Sequence, residues 1–317
     1  MRFAPVVFLL LGIAPAQAGS LTPPGPPAPT MKALDEVEAR TPIASIPYSI
    51  TTPGSYYLTK SLTAIVGSGI TVNASPVTID LNGFTLDGAG FGSSGIASNV
   101  TGGSLTIRNG FIRRWINGIN AGTPGLQRIE GVTIEACSGV GANVAVASVA
   151  NCKFVFNGSD GIASSYASEI RDSLASDNQG VGINLVGPVG IVENCRAAFN
   201  TVGGVRLGRS STIRHSVVSE NSGYGIQIDQ RDLVAENEVY GNTGDGIVVA
   251  IAGECRIEGN SVTSNGGYGI NATSGGNFII RNSGRANTAG NFHITGAGNV
   301  APVETGAITN AASNVNY

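Results

Sequence analysis

A short phrase that returns six times at almost constant spacing constrains this chain more than any other feature. In every copy an asparagine is followed four residues later by a glycine, and the glycine by isoleucine or valine. Successive copies begin 21 to 23 residues apart, which is too regular for chance and too short for a separate domain. The asparagines are Asn157, Asn178, Asn200, Asn221, Asn242 and Asn265.

The glycine of this phrase also occurs earlier in the chain, which extends the repeat to about ten coils of 21–26 residues. These earlier glycines are Gly69, Gly95, Gly118 and Gly139. A second apolar position follows the glycine of each coil at Ile79, Ile107, Ile129, Val149, Ile170, Ile191, Ile213, Val234, Ile257 and Ile280. Each coil therefore contains at least two short strands, with further extended chain before the asparagine.

Strands this short cannot bury an apolar face alone, and the links between them are too short for a crossover helix. Both constraints are met if the chain winds into flat coils and each strand stacks on its equivalent one coil later, with Ile and Val pointing inward. The sequence therefore predicts an all-β fold, a single-stranded parallel β-helix over residues 52–290. The six asparagines are predicted to form a structural ladder at one corner, bonding the backbone and one another, while glycine relieves the next corner.

Composition agrees with a solenoid of strands and tight turns. Glycine accounts for 46 of 317 residues, charged residues for 12 % and aromatic residues for 6 %. The formal net charge of -3 argues against nucleic acid as a partner, because such proteins present a basic face.

The N-terminus has the pattern of an export signal. Residues 1–18 combine a basic Arg2, a short apolar run and an Ala-Gln-Ala exit, which predicts a cleaved signal peptide and a secreted, periplasmic or extracellular protein. Residues 19–30 form a proline-rich spacer. No other apolar run is long enough to span a membrane.

The segments on either side of the repeats are predicted to cover its open ends. Residues 31–51 are assigned to an N-terminal cap containing a short amphipathic helix, with Met31, Leu34 and Val37 on one face. Residues 291–317 are assigned to a C-terminal cap or tail. An uncovered sheet end would expose unpaired backbone groups, so capping is favoured over a partner-binding role for the helix.

Four cysteines in an exported chain suggest disulfides, but the repeat argues against the obvious pair. Cys152 and Cys195 follow asparagines in equivalent positions two coils apart, about 9.6 Å at a strand spacing of about 4.8 Å. This exceeds the reach of a disulfide. We therefore expect four small buried thiols, and no Cys-x-x-Cys or His cluster predicts a metal site.

The Asn-x-x-x-Gly-Ile rows, together with the segments at 53–58 and 79–84, resemble the secreted bacterial right-handed parallel β-helix proteins of the pectin-lyase-like superfamily. The resemblance covers about Thr52 to His293. It implies a right-handed coil and a polysaccharide-related role. Members include polysaccharide lyases, hydrolases, epimerases, tailspikes and structural surface proteins, so the fold does not by itself assign an activity.

One column of side chains is the best chemical candidate in the sequence. The residue two positions after the second apolar anchor is Asp172, Glu193, His215 and Glu236 in four consecutive coils. Stacking would place Glu193 and Glu236 on either side of His215, about 9.6 Å apart, in the range of an acid and base acting on a glycosidic bond. Arg171 and Arg214 precede two members of this column, so an exposed ion-pair strip is the alternative interpretation.

Two further groups are candidates for ligand binding. One is a cluster on the corner of two adjacent coils, comprising Arg206, Arg209, Asp229, Arg231 and Asp232. Lyases of the resembled fold use a base and carboxylates, often with Ca²⁺, but no matching motif surrounds these residues and the sequence predicts no cofactor. The other group is Tyr224 and Tyr268, which precede the glycine in coils two apart and suit stacking on sugar rings or covering a turn.

Two functional hypotheses follow. The first is an exported module that faces a polysaccharide, either binding it or processing it weakly; an enzyme of this type would be a polysaccharide lyase or glycoside hydrolase. The second is a non-catalytic structural or interaction protein of the cell envelope or extracellular matrix, favoured by coils too short to build a cleft. The sequence does not determine the oligomeric state.

Overall fold

The computed structural model describes residues 39–251, 253–295, 299–305 and 313–316. The predicted signal peptide, the proline-rich spacer and the amphipathic helix through residue 38 lie outside the described residues. The described solenoid lies within one compact unit, Arg40–Tyr317. No helix among the described residues is long and apolar enough to cross a membrane.

The described chain is a right-handed parallel β-solenoid of about 11 turns. Its earlier strands are β1 (Thr41–Ile43), β2 (Tyr48–Ile50), β3 (Gly54–Leu58), β4 (Leu62–Thr63), β5 (Ile70–Val72), β6 (Val77–Asp80), β7 (Thr85–Ser98), β8 (Ser104–Glu135), β9 (Ala142–Ala150), β10 (Lys153–Val155), β11 (Ile162–Ser164), β12 (Glu169–Arg171), β13 (Leu174–Ser176), β14 (Val181–Leu185), β15 (Ile191–Glu193) and β16 (Arg196–Ala198). Its later strands are β17 (Gly203–Leu207), β18 (Thr212–Arg214), β19 (Val217–Ser219), β20 (Tyr224–Ile228), β21 (Leu233–Ala235), β22 (Glu238–Tyr240), β23 (Ile247–Val249), β24 (Arg256–Glu258), β25 (Ser261–Thr263), β26 (Tyr268–Ala272), β27 (Phe278–Ile280), β28 (Ser283–Arg285), β29 (Gly290–Ile294), β30 (Asn299–Val300), β31 (Val303–Thr305) and β32 (Asn314–Asn316).

Each coil contributes one strand to each of three parallel sheets, so the extended chain predicted before each asparagine is a third strand. Sheet A follows the Gly-Ile phrase and contains β2, β5, β11, β14, β17, β20, β23, β26 and β29 with parts of β7, β8 and β9. Sheet B contains β1, β3, β6, β12, β15, β18, β21, β24, β27 and β30 with parts of β8 and β9. Sheet C contains β4, β10, β13, β16, β19, β22, β25, β28, β31 and β32 with parts of β7 and β8.

The core is a set of inward-facing apolar columns, one from each sheet. On sheet A, Ile183 pairs in register with Ile162 and Val205, and all three are fully buried. Small β-branched side chains suit this position because they pack well on a pleated sheet and fill a narrow interior. One repeat of the sequence therefore corresponds to one full coil of the solenoid.

Two of the predicted sheet B anchors are one residue out of register. Ile170 pairs with Val192 rather than Ile191, and Ile257 pairs with Ile279 rather than Ile280. In both coils two adjacent β-branched residues satisfy the pattern equally well, and the backbone spacing of the preceding corner decides which one points inward. This shift changes the predicted chemical column.

The first asparagine ladder has the geometry that the repeat predicts. The side-chain oxygen of Asn221 accepts hydrogen bonds from the backbone nitrogen of Asn200 at 2.9 Å and from its amide nitrogen at 3.0 Å. The amide of Asn221 donates to Asn242 at 2.8 Å and to the carbonyl of Ala197 at 3.2 Å. All six predicted asparagines are at most 1 % exposed, so the ladder satisfies corner groups that no strand pairing reaches.

The other two corners also carry ladders, which were not predicted from the sequence. The second runs through Cys152, Ser173, Cys195, Ser216, Asn237, Asn260, Asn282 and Asn314. The third includes Ser211, Asp232, Cys255 and Asn277. These columns mix asparagine with shorter side chains, which hides their period.

The four cysteines are free and buried, as predicted, and they occupy ladder positions. The backbone nitrogen of Cys137 donates to Asn157, so Cys137 ends the first ladder. Burial raises the pKa of Cys195 to about 12 and that of Cys137 to about 11. These thiols therefore stay protonated at neutral pH and act as small packing groups.

The solenoid is longer at both ends than the predicted 52–290. Strands β1 and β2 lie inside the predicted N-terminal cap, and they pair in parallel with β3 and β5. At the other end β29 pairs with β26, and β32 pairs with β28. The short sequence-divergent coils at the ends lack the Asn-Gly-Ile phrase, which is why the repeat alone did not reveal them.

Candidate functional site

The predicted chemical column lies on the corner between sheets B and C. The residue before each member of the second ladder has a left-handed backbone, with φ of 49° at Asp172, 52° at Asn194, 51° at His215 and 56° at Glu236. This conformation turns the chain sharply and points the side chain outward. Asp172, His215 and Glu236 therefore do share one column, and Asn194 takes the place assigned to Glu193.

Glu193 lies one position earlier, inside β15, and its assignment to the column is wrong. It pairs in register with Arg171 and Arg214. Its carboxylate forms an ion pair with Arg171 and another with Arg214 at 2.7 Å, and the side chain is 16 % exposed. Glu193 is thus the centre of an Arg-Glu-Arg cluster next to the column.

His215 nevertheless contacts both carboxylates. Its Nε2 lies 2.7 Å from Glu236, and its Nδ1 lies 4.0 Å from Glu193. Shallow grooves of about 370 and 560 Å³ border this histidine. His215 and Glu236 are 52 % and 66 % exposed, so the pair lacks the water-excluded setting of most acid–base catalysts and resembles an exposed ion-pair strip.

The predicted Arg and Asp cluster separates into four environments. Arg206 points outward from sheet A, and Arg231 forms an ion pair with Glu254 at 2.7 Å. Arg209 and Asp229 line a cavity of about 290 Å³ at the corner between sheets A and B. The fifth member, Asp232, is buried.

Asp232 is a member of the third ladder and is 1 % exposed. Its carboxylate accepts hydrogen bonds from the backbone nitrogens of Ser211 and Asp229, each at 2.7 Å. Burial raises the pKa of Asp232 to about 6 despite these bonds. The side chain supports the corner and does not face a ligand from solvent.

Among the candidate site residues, those on sheet A form the most extended polar surface. Successive strands place Asn184, Arg206, Gln227, Val248 and Asn271 at one outward position, in register. His293 continues this column in the last coil of the sheet. The outward column therefore presents flat amide, guanidinium and imidazole groups along the solenoid axis.

Tyr224 and Tyr268 lie along the edge of the same sheet. Tyr224 pairs in register with Gly203, and a Cβ at Gly203 would lie 2.4 Å from the Tyr224 ring, so the ring rests on the backbone of that coil. Burial raises the pKa of Tyr224 to about 12. Tyr268 stacks on His293 with ring centroids 4.5 Å apart and planes inclined by 23°.

Two aspartates orient asparagines of the outward column in the same way. Asp160 accepts from the backbone nitrogen of Val181 and from the amide of Asn184, both at 2.7 Å. Asp245 accepts from the backbone nitrogen of Tyr268 and from the amide of Asn271, again both at 2.7 Å. These pairs are recognisable in the sequence as Asp-Gly-Ile in one coil followed by Gly-Ile-Asn in the next, but the phrase shared by all coils includes neither polar residue.

Solved structures with the same fold include enzymes that act on polysaccharides and a viral tailspike. A mutant of the periplasmic alginate epimerase AlgG matches with a TM-score of 0.64 and 12 % identity, covering 84 % of this chain and 76 % of that one. The A-module of the Azotobacter vinelandii mannuronan C-5 epimerase AlgE6 matches with a TM-score of 0.62 and 14 % identity, covering 88 % and 90 %. The Dettilon tailspike protein matches with a TM-score of 0.53 and 11 % identity, covering 87 % and 61 %. At these identities the likeness concerns the fold.

A search among curated proteins found no significant match. One family model matches residues 127–289, just over half of the chain, including the regular coils and most of sheet A's polar column. Its description is periplasmic copper-binding protein (NosD). The chain therefore belongs to the NosD family of β-solenoid proteins.

Proposed function

We propose that this protein is an exported polysaccharide-binding solenoid that holds an acidic glycan along sheet A. The β-helix neighbours include alginate and mannuronan epimerases and a tailspike, which supports a glycan-facing role. Membership of a periplasmic family supports an exported location. The side chains of the outward column favour an acidic glycan as the ligand.

The observation that carries the proposal is Arg206. It is exposed in the middle of sheet A, between Asn184 and Gln227, and forms no ion pair with any described carboxylate. Most other arginines of the regular coils, such as Arg214 and Arg231, are paired. A planar guanidinium without a partner suits a ligand carboxylate, which it can bind through two hydrogen bonds.

The neighbours of Arg206 suit the rest of a sugar chain. Amides such as Asn184 and Gln227 can donate to and accept from hydroxyl groups. Tyr224 and the stacked pair of Tyr268 and His293 offer ring faces beside the column. A rigid parallel sheet holds all of these groups at a fixed spacing, which reduces the entropy lost on binding.

The copper named in the family description does not fit the described residues. Copper prefers thiolate, thioether and imidazole ligands. In the part of the chain that the structure describes, no group of three His, Cys, Asp or Glu side chains is arranged so that it could hold a metal ion. The thiols occupy separate ladder positions, and burial raises the pKa of each to about 11 or 12, at Cys137, Cys152, Cys195 and Cys255. The proposed function therefore uses no copper.

A second candidate function, an interaction protein of the envelope, is favoured by exposed apolar side chains near the corner between sheets A and B. Leu126, Val189 and Ile251 are 68 %, 57 % and 70 % exposed, and Leu126 and Val189 border a groove of about 410 Å³. Isolated apolar residues are normal on protein surfaces, but a run of them along one corner is typical of a protein contact. This surface is separate from the outward column of sheet A.

The test is binding of the mature protein to immobilised polyuronates and neutral glycans. We expect saturable binding to polyuronates, and a loss of about 10-fold in affinity or more for Arg206→Ala, since a charge-assisted contact is worth about 1.5 to 3 kcal/mol. Arg281→Ala is the matched control, because Arg281 is exposed but paired with Glu258 on another corner.

Equal loss in both arginine variants would indicate non-specific charge attraction and contradict the proposal. Capture of a protein partner with no affinity for any acidic glycan would favour the interaction hypothesis instead. Melting curves of the variants establish that each one is folded.

A further inference from the structure

The two Asp-Asn pairs of sheet A are copies of one arrangement in separate coils. In each, an aspartate on the edge of the sheet accepts a backbone N–H of the following coil and orients an asparagine of the outward column. The pairs are Asp160 with Asn184 and Asp245 with Asn271. The four hydrogen bonds have the same length, 2.7 Å, and join corresponding atoms, so each asparagine donates its side-chain amide to its aspartate in the same way.

Each oriented asparagine faces a cation or imidazole in the next coil. Asn184 pairs in register with Arg206, and Asn271 pairs with His293. The side-chain oxygen of Asn271 lies 3.1 Å from His293 Nδ1. The side-chain oxygen of Asn184 is buried and has no hydrogen-bond partner among the described residues. In this respect it differs from the side-chain oxygen of Asn271.

A tyrosine lies beside each arrangement, although its coil relative to the asparagine differs between the two. Tyr224 lies one coil beyond Arg206, and Tyr268 lies in the coil of Asn271 and stacks on His293. The coil between the arrangements places Val248, which cannot hydrogen-bond through its side chain, in the outward column. The polar surface is therefore divided into two units rather than spread evenly along the sheet.

We propose that these units are two subsites for one polyuronate chain, referred to below as the Asn184 subsite and the Asn271 subsite. This inference rests on the proposed function and deepens it. Asn184 and Asn271 are four strands apart along the outward column, which corresponds to about 19 Å at a strand spacing of about 4.8 Å. One extended glycan chain lying along the solenoid axis contacts both subsites, and a short oligosaccharide contacts one.

Two linked contacts on a rigid surface give a length-dependent affinity. Once the first subsite is occupied, the second binds with the high effective concentration of a tethered ligand. Affinity then rises steeply at the ligand length that first spans the subsites, instead of rising gradually with the number of sugars.

The experiment measures the affinity of the mature protein for a series of oligouronates from disaccharide to decasaccharide by calorimetry. We expect a rise of about a hundredfold at the length that spans about 19 Å, and little change on either side of it. Asn184→Ala or Asn271→Ala should each remove the step and leave long ligands with the affinity of short ones. Asn143→Ala is the matched control, since Asn143 lies in the same outward column beyond both subsites.

The outcomes separate this inference from the proposed function. Binding of polyuronates with a smooth dependence on length, or a step that survives both asparagine variants, would overturn the two-subsite arrangement while leaving a glycan-binding surface. Absence of binding at every length would overturn both. Arg206→Gln and His293→Gln provide a second pair of variants in case an asparagine variant fails to fold.

Discussion

At the scale of single residues, the chemistry of this chain depends on which side of a corner a side chain occupies. Asp172 and Ser173 are adjacent, yet one is exposed at a left-handed position and the other is 5 % exposed in a ladder. Asp232 shows the consequence most clearly. It looks like a surface acid in the sequence, but its one-residue offset from Arg231 buries it.

The stability of the protein should depend on pH through Asp232. Its pKa is raised by burial to about 6 in the folded state, against about 3.9 in an unfolded chain. The contribution of this group to stability is therefore fully present below about pH 4 and is lost as the pH rises through 6. The difference of about two pKa units corresponds to about 2 to 3 kcal/mol.

The measurement is chemical unfolding of wild type and Asp232→Asn from pH 7 to pH 4. The variant removes the titrating group, so the wild-type free energy of unfolding should rise relative to the variant as the pH falls. Asp177→Asn, at a half-buried corner position, controls for general charge effects. A constant difference between wild type and Asp232→Asn over this range would contradict the buried-acid assignment.

The glycine of the repeated phrase is required by close packing between coils, and not by the need for a flexible corner. At Gly225 a Cβ would lie 2.5 Å from the carbonyl oxygen of Gly246 and 2.8 Å from the amide of Asn242 in the next coil. The contact atoms belong to backbone and ladder, so they cannot move aside cheaply. Gly225→Ala should destabilise the protein by about 1 to 3 kcal/mol in thermal or chemical unfolding, as overpacking does. An unchanged unfolding midpoint would show that adjacent coils are packed less closely.

At the scale of elements, the three corner ladders hold the coils in register. Each sheet strand is only three to five residues long in the regular coils, and its pairing alone leaves the corner groups unsatisfied. Asparagine meets this need because it can accept and donate at once. Serine and cysteine take equivalent positions in the second ladder, where Ser173 and Ser216 accept from a backbone N–H of the preceding coil and donate to a backbone carbonyl.

Replacing an interior ladder residue should be costly. Asn221→Ala removes two bonds accepted from Asn200 and the donors to Ala197 and Asn242. Leaving several buried groups unpaired should reduce the free energy of unfolding by about 3 kcal/mol. Asn143→Ala, on the outward face, should change it much less. Equal effects of the two substitutions in urea unfolding would refute the structural role of the ladder.

At the scale of the whole molecule, the solenoid turns a one-dimensional repeat into flat faces with fixed spacing. Columns along the axis place residues that are more than 80 positions apart in sequence, such as Asp160 and Asp245, in matching environments four coils apart. The proposed polysaccharide ligand suits such a surface, because an extended chain along the axis can reach both proposed subsites. The proposed glycan face and the exposed apolar corner are distinct surfaces of one rigid body of coils.

The sequence by itself determined that the chain folds into a β-solenoid, because the Asn-Gly-Ile phrase returns once per coil and its Ile and Val residues are suited to fill the interior. It also determined the first ladder and the free thiols, since equivalent positions two coils apart are too distant for a disulfide. The tertiary structure alone decided the register where two β-branched residues are adjacent, as at Ile191 and Val192, and that choice moved Glu193 out of the chemical column. It also buried Asp232, because which residue of a corner turns inward depends on how many residues that corner uses, and the local sequence leaves that number open.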